Sequence, residues 1–533
     1  MEKNERYIAT ATGYSEDGAG VTRIKGIVIF VPGLLNGEEA EIGITKMKKN
    51  YGYGRIIKIL KPSLHRIDPI CSVYKQCGGC QLQHMDSHEQ NTFKENKVKD
   101  CFHKIAGMDV EVQPIIKVEP HWNYRNKVQI PVQCNDNKVE MGFYAPHSNR
   151  IVQYDVCHVQ TDLSNELTNY FRKQFDMLAC SKEMRHVLIK HAHNTGEVMV
   201  ALVVRNYPFH NSNTLIKDVL ANYPQIKSLV AIVNKREDNV ILDGKEILLA
   251  GRHYIEEELL GCTFRISARS FYQINPYATR ELYSKAIELA GLTGNETLID
   301  LYCGTGTMGI IAAKQAKQVY GIEIVKDAVR DANTNAENNN VTNIKFINAD
   351  ASEGAKQIID AKIQADAMII DPPRKGCSKD TIDAIVTIAP KRLVYVSCDP
   401  ATLARDVKIL SDNGYKLELV QPVDLFPQTV HVETVALLSK LDVDKHISVK
   451  IELDELDLTS AESKATYAQI KEYILEKFGL KVSALYIAQI KKKCGIELRE
   501  NYNKSKKEKQ VIPQCTSEKE EAIMDALRHF KMI

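Results

Sequence analysis

A repeating order of apolar strand, polar turn and helix, from about residue 262 to residue 443, limits the possible folds of this chain more than any other feature. Strands that alternate with helices form a mostly parallel sheet covered by helices on its faces. The carboxyl ends of such strands meet at one edge of the sheet, where open α/β folds bind their ligands. The sequence therefore predicts an α/β domain whose ligand site lies at that edge.

The first strand of this region leads into a glycine turn, LIDLYCGTGTMG, which includes Asp300 and Gly306. It differs from the G-x-G-x-x-G turn that seats a pyrophosphate, and it is typical of class I methyltransferases, which bind an adenosyl group without one. Glu323 ends the second strand, where an acid commonly grips ribose hydroxyls. Asp350 follows the third strand. Together these residues predict a class I (Rossmann-like) methyltransferase domain over residues 262–443.

Two later strands carry reactive groups to the same edge. The fourth ends in DPPRKGC, which begins at Asp371, and the fifth ends in VSCDP, which places Cys398 just before Pro400. A further strand, HVETVALL, carries Glu433 among apolar residues. An ionised, unpaired carboxylate in such a setting costs several kcal/mol, so Glu433 is expected to be solvated, paired or catalytic.

Residues 1–61 alternate short β-rich runs with glycines and predict a five-stranded β-barrel of the OB type. Barrels of this type commonly bind single-stranded nucleic acid. A basic tip beside two aromatic side chains fits that use, although a solvated hairpin tip explains it equally well: Lys46, Lys48, Lys49, Tyr51 and Tyr53.

The segment CSVYKQCGGC holds three cysteines, Cys71, Cys77 and Cys80, in a C-x5-C-x2-C pattern around two glycines. Thiolates at this spacing indicate a metal site, and four of them suit either zinc or an iron–sulfur cluster. The spacing does not decide between the two. It also leaves the fourth ligand open, since four further cysteines are equally available: Cys101, Cys134, Cys157 and Cys180.

The 533 residues are too many for one hydrophobic core. Beside the two regions above, we predict a β-rich central domain with an antiparallel sheet over residues 62–261 and a helical, basic extension over residues 446–533. Residues 481–509 hold nine Lys and Arg against three Asp and Glu, which favours RNA contact and a solubilising tail equally. Across the chain 70 basic residues balance 68 acidic ones, so any basic surface must be local. The chain shows neither a signal peptide nor an apolar run long enough to span a membrane, which predicts a cytoplasmic protein.

Five separated motifs resemble those of the RNA uracil-5-methyltransferases: FYQIN, LYCGTGTMG, DPPRKG, SCDPATLARD and HVETVALL. With the barrel in front and CGGCQLQH after it, the chain is similar over residues 5–443 to the bacterial 23S ribosomal RNA (uracil-5-)-methyltransferase branch. That resemblance implies an N-terminal TRAM domain and a [4Fe–4S] cluster bound by Cys71, Cys77, Cys80 and Cys157. Asp399 stands where many members carry asparagine.

The resemblance also implies a mechanism. Cys398 would add to carbon 6 of the target uridine as a thiolate, which calls for a lowered pKa, and Glu433 would remove the proton from carbon 5. Asp371 would lie between the cofactor and the uracil. S-adenosyl-L-methionine would be bound by six residues: Gln273, Tyr302, Thr307, Glu323, Asp350 and Asp371.

Three functions are compatible with the sequence. The first is methylation of uridine in 23S ribosomal RNA. The second is the same chemistry on transfer RNA, whose enzymes in this family are expected to lack the barrel and the cysteine cluster. The third is a non-catalytic RNA-binding or ribosome assembly factor that has kept the fold. RNA is the expected partner in each, with no membrane and no obligate protein partner evident.

Overall fold

The computed structural model describes residues 1–135, 138–179, 181–441, 467–480, 482–494, 517–530 and 532. Within it the chain forms two compact units, residues 1–443 and residues 444–533. The division of the first unit into three domains stays a prediction.

The chain begins with a curled five-stranded sheet in the order β1-β4-β5-β3-β2. After β1, the N–H of Thr12 donates to the oxygen of Val21 in β2, at 2.8 Å, and Val21 donates back to Gly13, at 2.9 Å. These bonds join the two ends of the sheet, so the strands close into a barrel. Their bounds are β1 (Arg6–Thr10), β2 (Gly20–Ile24), β3 (Ile27–Val31), β4 (Glu39–Met47) and β5 (Tyr51–Lys61).

A seven-stranded sheet forms the middle of the unit, in the order β12-β11-β10-β9-β6-β7-β8. The predicted antiparallel arrangement is wrong for one pair, since β10 and β11 run parallel. Helix α3 connects these two strands, and a helical crossover returns the chain to the same end of a sheet. The bounds are α1 (Ser87–Cys101), β6 (Lys127–Asn135), β7 (Lys138–Tyr144), β8 (Ile151–Gln153), α2 (Asp162–Met177), β9 (Met184–His191), β10 (Val198–Val204), α3 (Ser212–Asn222), β11 (Ile226–Val233) and β12 (Lys245–Gly251).

A hairpin links the two large sheets. Its strands, β13 (Tyr254–Leu259) and β14 (Cys262–Ser267), pair along their whole length, and α4 (Pro276–Ala290) follows. The predicted boundary between residues 261 and 262 coincides with the turn of this hairpin.

The second seven-stranded sheet has the order β17-β16-β15-β18-β19-β21-β20, the arrangement of a class I methyltransferase. Strand β21 lies between β19 and β20 and runs antiparallel to both. The bounds are β15 (Thr297–Leu301), α5 (Thr307–Ala313), β16 (Gln318–Glu323), α6 (Lys326–Asn338), β17 (Ile344–Asn348), α7 (Ala351–Asp360), β18 (Ala367–Ile370), α8 (Lys379–Ile388), β19 (Arg392–Ser397), α9 (Pro400–Asp412), β20 (Tyr415–Val423) and β21 (Glu433–Lys440).

The described part of the second unit consists of α10 (Tyr467–Phe478), α11 (Ala484–Lys493) and α12 (Ser517–His529). Their apolar faces share a core that includes Ile470, Ile474, Ile487 and Ile523. Of the basic stretch predicted over residues 481–509, residue 481 and residues 495–509 lie outside the described residues. Among the helices that the structure describes, none is long and apolar enough to cross a membrane.

Candidate active site

Cys398 lies at the carboxyl edge of the sheet, directly after β19. It is half-buried, because Pro400 starts α9 immediately beyond it. Asp399 caps that helix by accepting hydrogen bonds from the N–H groups of Ala401, at 2.9 Å, and Thr402, at 3.3 Å. An asparagine oxygen would form the same cap, so aspartate is compatible with the local structure.

Strand register brings Glu433 to the same point. In the antiparallel pair β19–β21, Ser397 lies opposite Thr434. Cys398 is the first residue after β19, and Glu433 is the first residue of β21. The side chain of Glu433 is almost fully buried, at 4% exposure.

The surroundings of Cys398 and Glu433 raise the pKa of both groups. Burial raises the pKa of the Cys398 thiol to about 11, and the Glu433 carboxyl adds to the rise, whereas Arg374 acts in the opposite direction. Burial also raises the pKa of Glu433 to about 8, with a contribution from Asp371 and an opposing one from Arg374. The lowered thiol pKa expected from the sequence is therefore wrong for the protein alone. Arg374 thus favours the ionised form of both groups.

Two more carboxyl groups are buried nearby. Burial raises the pKa of Asp371 to about 7. It raises the pKa of Asp300 to about 7 as well, although the N–H of Gly309 stabilises the charged form. One oxygen of Asp300 has no hydrogen-bond partner within the described residues. Such a polar atom normally has one, which indicates that this edge of the sheet receives a polar ligand.

The Tyr283 hydroxyl joins these acids to Gln273. Its pKa is raised by burial and by the charges of Asp371, Asp300 and Glu433, whereas a hydrogen bond with Gln273 opposes the rise. Gln273 is itself buried, at 6% exposure. The structure thus places Gln273, Asp371 and Glu433 around the Tyr283 hydroxyl.

The glycine turn packs closely against its neighbours and binds the carboxylate of Glu323. Gly306 has φ +78°, and a side chain there would meet the ring of Phe346 at 2.7 Å. The N–H of Gly304 donates to one oxygen of Glu323, at 3.1 Å, and Val325 donates to the other, at 2.8 Å. The turn therefore holds the Glu323 carboxylate at the end of β16, with further acceptor positions on both oxygens.

The remaining three residues of the expected cofactor set lie along the same edge. Thr307 begins α5 and is buried. Asp350 is exposed and caps α7 with one oxygen, which accepts from the N–H groups of Ser352 and Glu353. Tyr302 packs towards α8, where its hydroxyl interacts with Thr381. These neighbours do not bring Tyr302 into the acidic cluster.

A groove of about 1280 Å³ runs from Cys398 to the barrel. At one end it is lined by Cys398, Arg374 and His431, and at the other by Phe30 and Tyr53. These two rings form a cluster with Tyr51, with ring centroids 5.7–6.0 Å apart. The barrel therefore faces the candidate nucleophile with an aromatic surface.

The cysteine segment forms a separate site. Cys71, Cys77, Cys80 and Cys157 line one cavity of about 430 Å³. Burial raises the pKa of Cys80 to about 12, with contributions from the other three thiols. The structure thus assembles the four cysteines and excludes Cys101 and Cys134 from this cavity.

The spacing of these thiols is wide for a single zinc ion. Four thiolates at about 2.3 Å from one Zn²⁺ have sulfur atoms about 3.8 Å apart. Among the described residues there is one group of three or more His, Cys, Asp or Glu side chains whose ligand atoms all lie within 4.8 Å of one another. It consists of His65, His88 and Glu89. No three of the four cysteine sulfur atoms all lie within that distance of one another.

Comparison with known proteins identifies the family of this chain. The model of the tRNA (Uracil-5-)-methyltransferase family matches residues 86–441, and the TRAM domain model matches residues 3–57. The chain belongs to the tRNA (uracil-5-)-methyltransferase family. It is an S-adenosyl-L-methionine-dependent RNA (uracil-C5)-methyltransferase.

Relatives of this methyltransferase carry general names. It is 40% identical over 447 residues to an uncharacterized RNA methyltransferase of Clostridium tetani, covering 82% of this chain and 97% of the relative. It is 42% identical over 451 residues to an uncharacterized RNA methyltransferase of Bacillus cereus, covering 83% and 98%.

A solved structure shows the same architecture. It is the Pyrococcus abyssi tRNA (uracil-54, C5)-methyltransferase in complex with S-adenosyl-L-homocysteine, with 28% identity and a TM-score of 0.64. The match covers 81% of this methyltransferase and 99% of that chain. Sequence reasoning had missed the electrostatic role of Arg374, although DPPRKG already placed it next to the crevice. It had also missed Tyr283, for which no sequence motif offered a signal.

Proposed function

We propose that this methyltransferase forms 5-methyluridine in 23S ribosomal RNA, with Cys398 as nucleophile and Glu433 as base. The observation that carries the chemistry is the end of the β19–β21 ladder, where Cys398 follows Ser397, Glu433 precedes Thr434, and both Glu433 and Arg374 act on the Cys398 thiol. Carbon 5 of uracil is a weak nucleophile, and a thiolate on carbon 6 activates it. The target uridine must leave any base stack to reach Cys398.

The bond changes balance as follows. The Cys398 sulfur adds to carbon 6, and the electron pair of the double bond between carbons 5 and 6 moves into an enolate. Carbon 5 then takes the methyl group, which the sulfonium of S-adenosyl-L-methionine would supply: the bond between sulfur and the methyl carbon breaks, and S-adenosyl-L-homocysteine leaves with the electron pair. Glu433 accepts the proton of carbon 5, the bond between carbon 6 and sulfur breaks, and the double bond returns. Arg374 supports the first step because it stabilises the thiolate.

The residues of the edge fit the cofactor. Glu323, with open acceptor positions, would hold the ribose, and the free oxygen of Asp350 would accept from the adenine amine. Asp371 and Asp300 would face the positive sulfur end of the molecule. Gln273 and Thr307 offer polar contacts for its methionine end, and Tyr302 offers a ring at the turn.

The groove between Cys398 and the barrel fits single-stranded RNA. Stacking of a base on an aromatic ring contributes about 1–3 kcal/mol. Tyr53 and Phe30 offer such rings within the groove, and the exposed side chains of Lys46, Lys48 and Lys49 lie on the adjoining hairpin. The RNA strand on either side of the flipped uridine would follow this path.

We further propose that the four cysteines bind a [4Fe–4S] cluster. The cavity of about 430 Å³ and the spacing of the thiols fit a cluster better than one zinc ion. The N–H of Gly79 points to the sulfur of Cys77, at 3.4 Å, which is the kind of hydrogen bond that stabilises a ligating thiolate. Arg125 lines the cavity and favours the ionised form of Cys77 and Cys157.

Transfer RNA is the second candidate substrate, and the Pyrococcus abyssi structure favours it. The match to that tRNA enzyme covers 81% of this chain, which is more than residues 62–443 alone would account for. The match therefore extends beyond the central and methyltransferase regions that residues 62–443 comprise.

A trapping experiment tests both parts of the proposal. RNA with 5-fluorouridine, made as 23S ribosomal RNA and as transfer RNA, is mixed with the protein and S-adenosyl-L-methionine and run on a denaturing gel. Fluorine at carbon 5 cannot leave as a proton, so the covalent adduct persists. We expect it with 23S RNA, with Cys398→Ala abolishing it and Cys101→Ala, a change in the same groove, preserving it. An adduct with transfer RNA alone would assign the second substrate, and no adduct with either RNA would refute the mechanism.

A further inference from the structure

The loop of residues 424–431 leads directly into Glu433 and is held from outside the sheet. Five of its backbone oxygens accept hydrogen bonds from residues distant in sequence: those of Leu425, Phe426, Pro427, Gln428 and Val430. Asn275, which donates to the Leu425 oxygen, belongs to the predicted methyltransferase domain over residues 262–443. The other donors precede that domain: Gln81, Leu82, Lys94, Lys97 and Tyr124. The conformation of this loop therefore depends on residues 81–97 and on Tyr124.

Gln428 is the most constrained position of this loop. It adopts φ +70°, a conformation that costs energy for any residue with a side chain, and it is 5% exposed. The carboxamide of Gln90 binds it twice. Its Nε2 donates to the Gln428 side-chain oxygen at 3.0 Å, and its Oε1 accepts from the Gln428 N–H at 2.9 Å. These two residues are 338 positions apart in the chain.

The same contact reaches the cysteine segment. The N–H groups of Gln81 and Leu82, which follow Cys80 directly, both donate to the Gln428 oxygen, at 3.1 and 3.0 Å. Gln90 also donates to the oxygens of Leu82, at 3.2 Å, and Met85, at 2.9 Å. One buried carboxamide thus ties the backbone after Cys80 to the backbone that enters β21.

We propose that Gln90 is a positioning residue for proton removal: it holds Gln428, and through it the entry of β21, so that Glu433 meets carbon 5 of the uridine. This inference rests on the proposed function, since it needs Glu433 as the base. It goes beyond that function by assigning a reaction step to a contact that lies outside the methyltransferase sheet. A displacement of about 1 Å in such a group is enough to slow a step about 100-fold.

The test separates adduct formation from adduct release. Gln90→Met keeps the volume of the side chain and removes its hydrogen bonds, and Gln90→Glu keeps the acceptor for the Gln428 N–H. Asn234→Leu is the matched control, because Asn234 is an equally buried carboxamide that donates to the oxygens of Val240 and Ile241, in the connection between β11 and β12. Each protein is mixed with ordinary RNA and radiolabelled S-adenosyl-L-methionine, and separately with 5-fluorouridine RNA.

With ordinary RNA, we expect Gln90→Met to accumulate a methylated covalent adduct and to turn over about 10- to 100-fold more slowly than wild type. Gln90→Glu should show adduct accumulation and turnover between those of Gln90→Met and wild type. Asn234→Leu should accumulate no adduct. Adduct formation with 5-fluorouridine RNA should stay within about twofold of wild type for each protein, because it needs no base. Equal losses in adduct formation and turnover, without accumulation, would overturn the proposal. If wild type itself forms no adduct, the proposed function fails first. If Gln90→Met does not fold, accumulation by Gln90→Glu decides the question.

Discussion

Cys398 and Glu433 lie at the same end of the β19–β21 ladder, where they flank its last pair: Cys398 follows Ser397, and Glu433 precedes Thr434. Burial raises the thiol pKa to about 11, and the carboxyl of Glu433 adds to that rise. A nucleophile and a base so close together cannot both carry a negative charge at low cost. This fixes the order of the two steps: the Cys398 thiolate must add to carbon 6 before the Glu433 carboxylate is needed to accept the proton of carbon 5.

Replacement of the base should therefore stop the reaction after methyl transfer. We expect Glu433→Gln to lower turnover about 100- to 10,000-fold while a methylated covalent adduct accumulates on ordinary RNA. A denaturing gel with radiolabelled cofactor measures the adduct. Glu418→Gln, a change at an exposed position of β20, serves as control. Loss of turnover without adduct would assign Glu433 to an earlier step.

Removal of Arg374 should make the thiol harder to ionise. Arg374 opposes the rise in the pKa of Cys398, so we expect Arg374→Gln to shift the alkylation of Cys398 by iodoacetamide to higher pH. Mass spectrometry of the peptide that contains Cys398 measures this rate across pH. Lys375→Gln removes the neighbouring charge and should leave the profile unchanged. An equal shift in both variants would point to general surface charge.

Binding of the cofactor should depend on pH more strongly than binding of its product. Asp371 and Glu433 ionise at pKa values of about 7 and about 8, and only their ionised forms attract a sulfonium. The affinity for S-adenosyl-L-methionine relative to S-adenosyl-L-homocysteine should therefore rise as the pH passes through these values. The rise should reach about tenfold for each pKa unit by which the sulfonium lowers these carboxyls. Calorimetry measures both affinities, and parallel pH profiles would show that the carboxyls do not face the sulfur.

The cysteine cavity should contain iron. We expect protein prepared without oxygen to hold about four iron and four sulfide ions per chain, and Cys157→Ser to lose most of both. Cys134→Ser, outside the cavity, should keep them. Metal and sulfide analysis with visible absorption spectra measures this outcome. Stoichiometric zinc without sulfide would contradict the cluster.

The aromatic surface of the barrel should contribute to RNA affinity without changing its salt dependence. We expect Tyr53→Ala to weaken binding by about 1–3 kcal/mol, and Tyr53→Phe, which keeps the ring, to bind nearly as wild type. Lys48→Gln should instead reduce the slope of affinity against salt by about 0.7–0.9. Titrations at several salt concentrations distinguish the two effects. Equal affinity of Tyr53→Ala and wild type would place the RNA elsewhere.

The sequence predicted the strand ends well, because apolar runs and the residues that stop them are local features. It therefore placed Cys398 at the edge of the sheet and brought Glu323 and Asp350 to the same side. It did not predict that β10 and β11 run parallel, nor the contact between Gln90 and Gln428, since both depend on pairing between distant segments. It also had the wrong sign for the pKa of Cys398, because the burial and charges that set this pKa come from Glu433 and Asp371 on other strands.

The position of β21 has a consequence for the newly made chain. This strand is the last of the sheet in sequence, yet it inserts between β19 and β20, which are synthesised before it. A chain that ends before residue 433 already carries Cys398 but has a gap where its neighbouring strand belongs. The chain thus becomes catalytically competent only when β21 has inserted between β19 and β20. Incompletely synthesised copies of the enzyme lack the proton acceptor, so they would be unable to release a modified transcript.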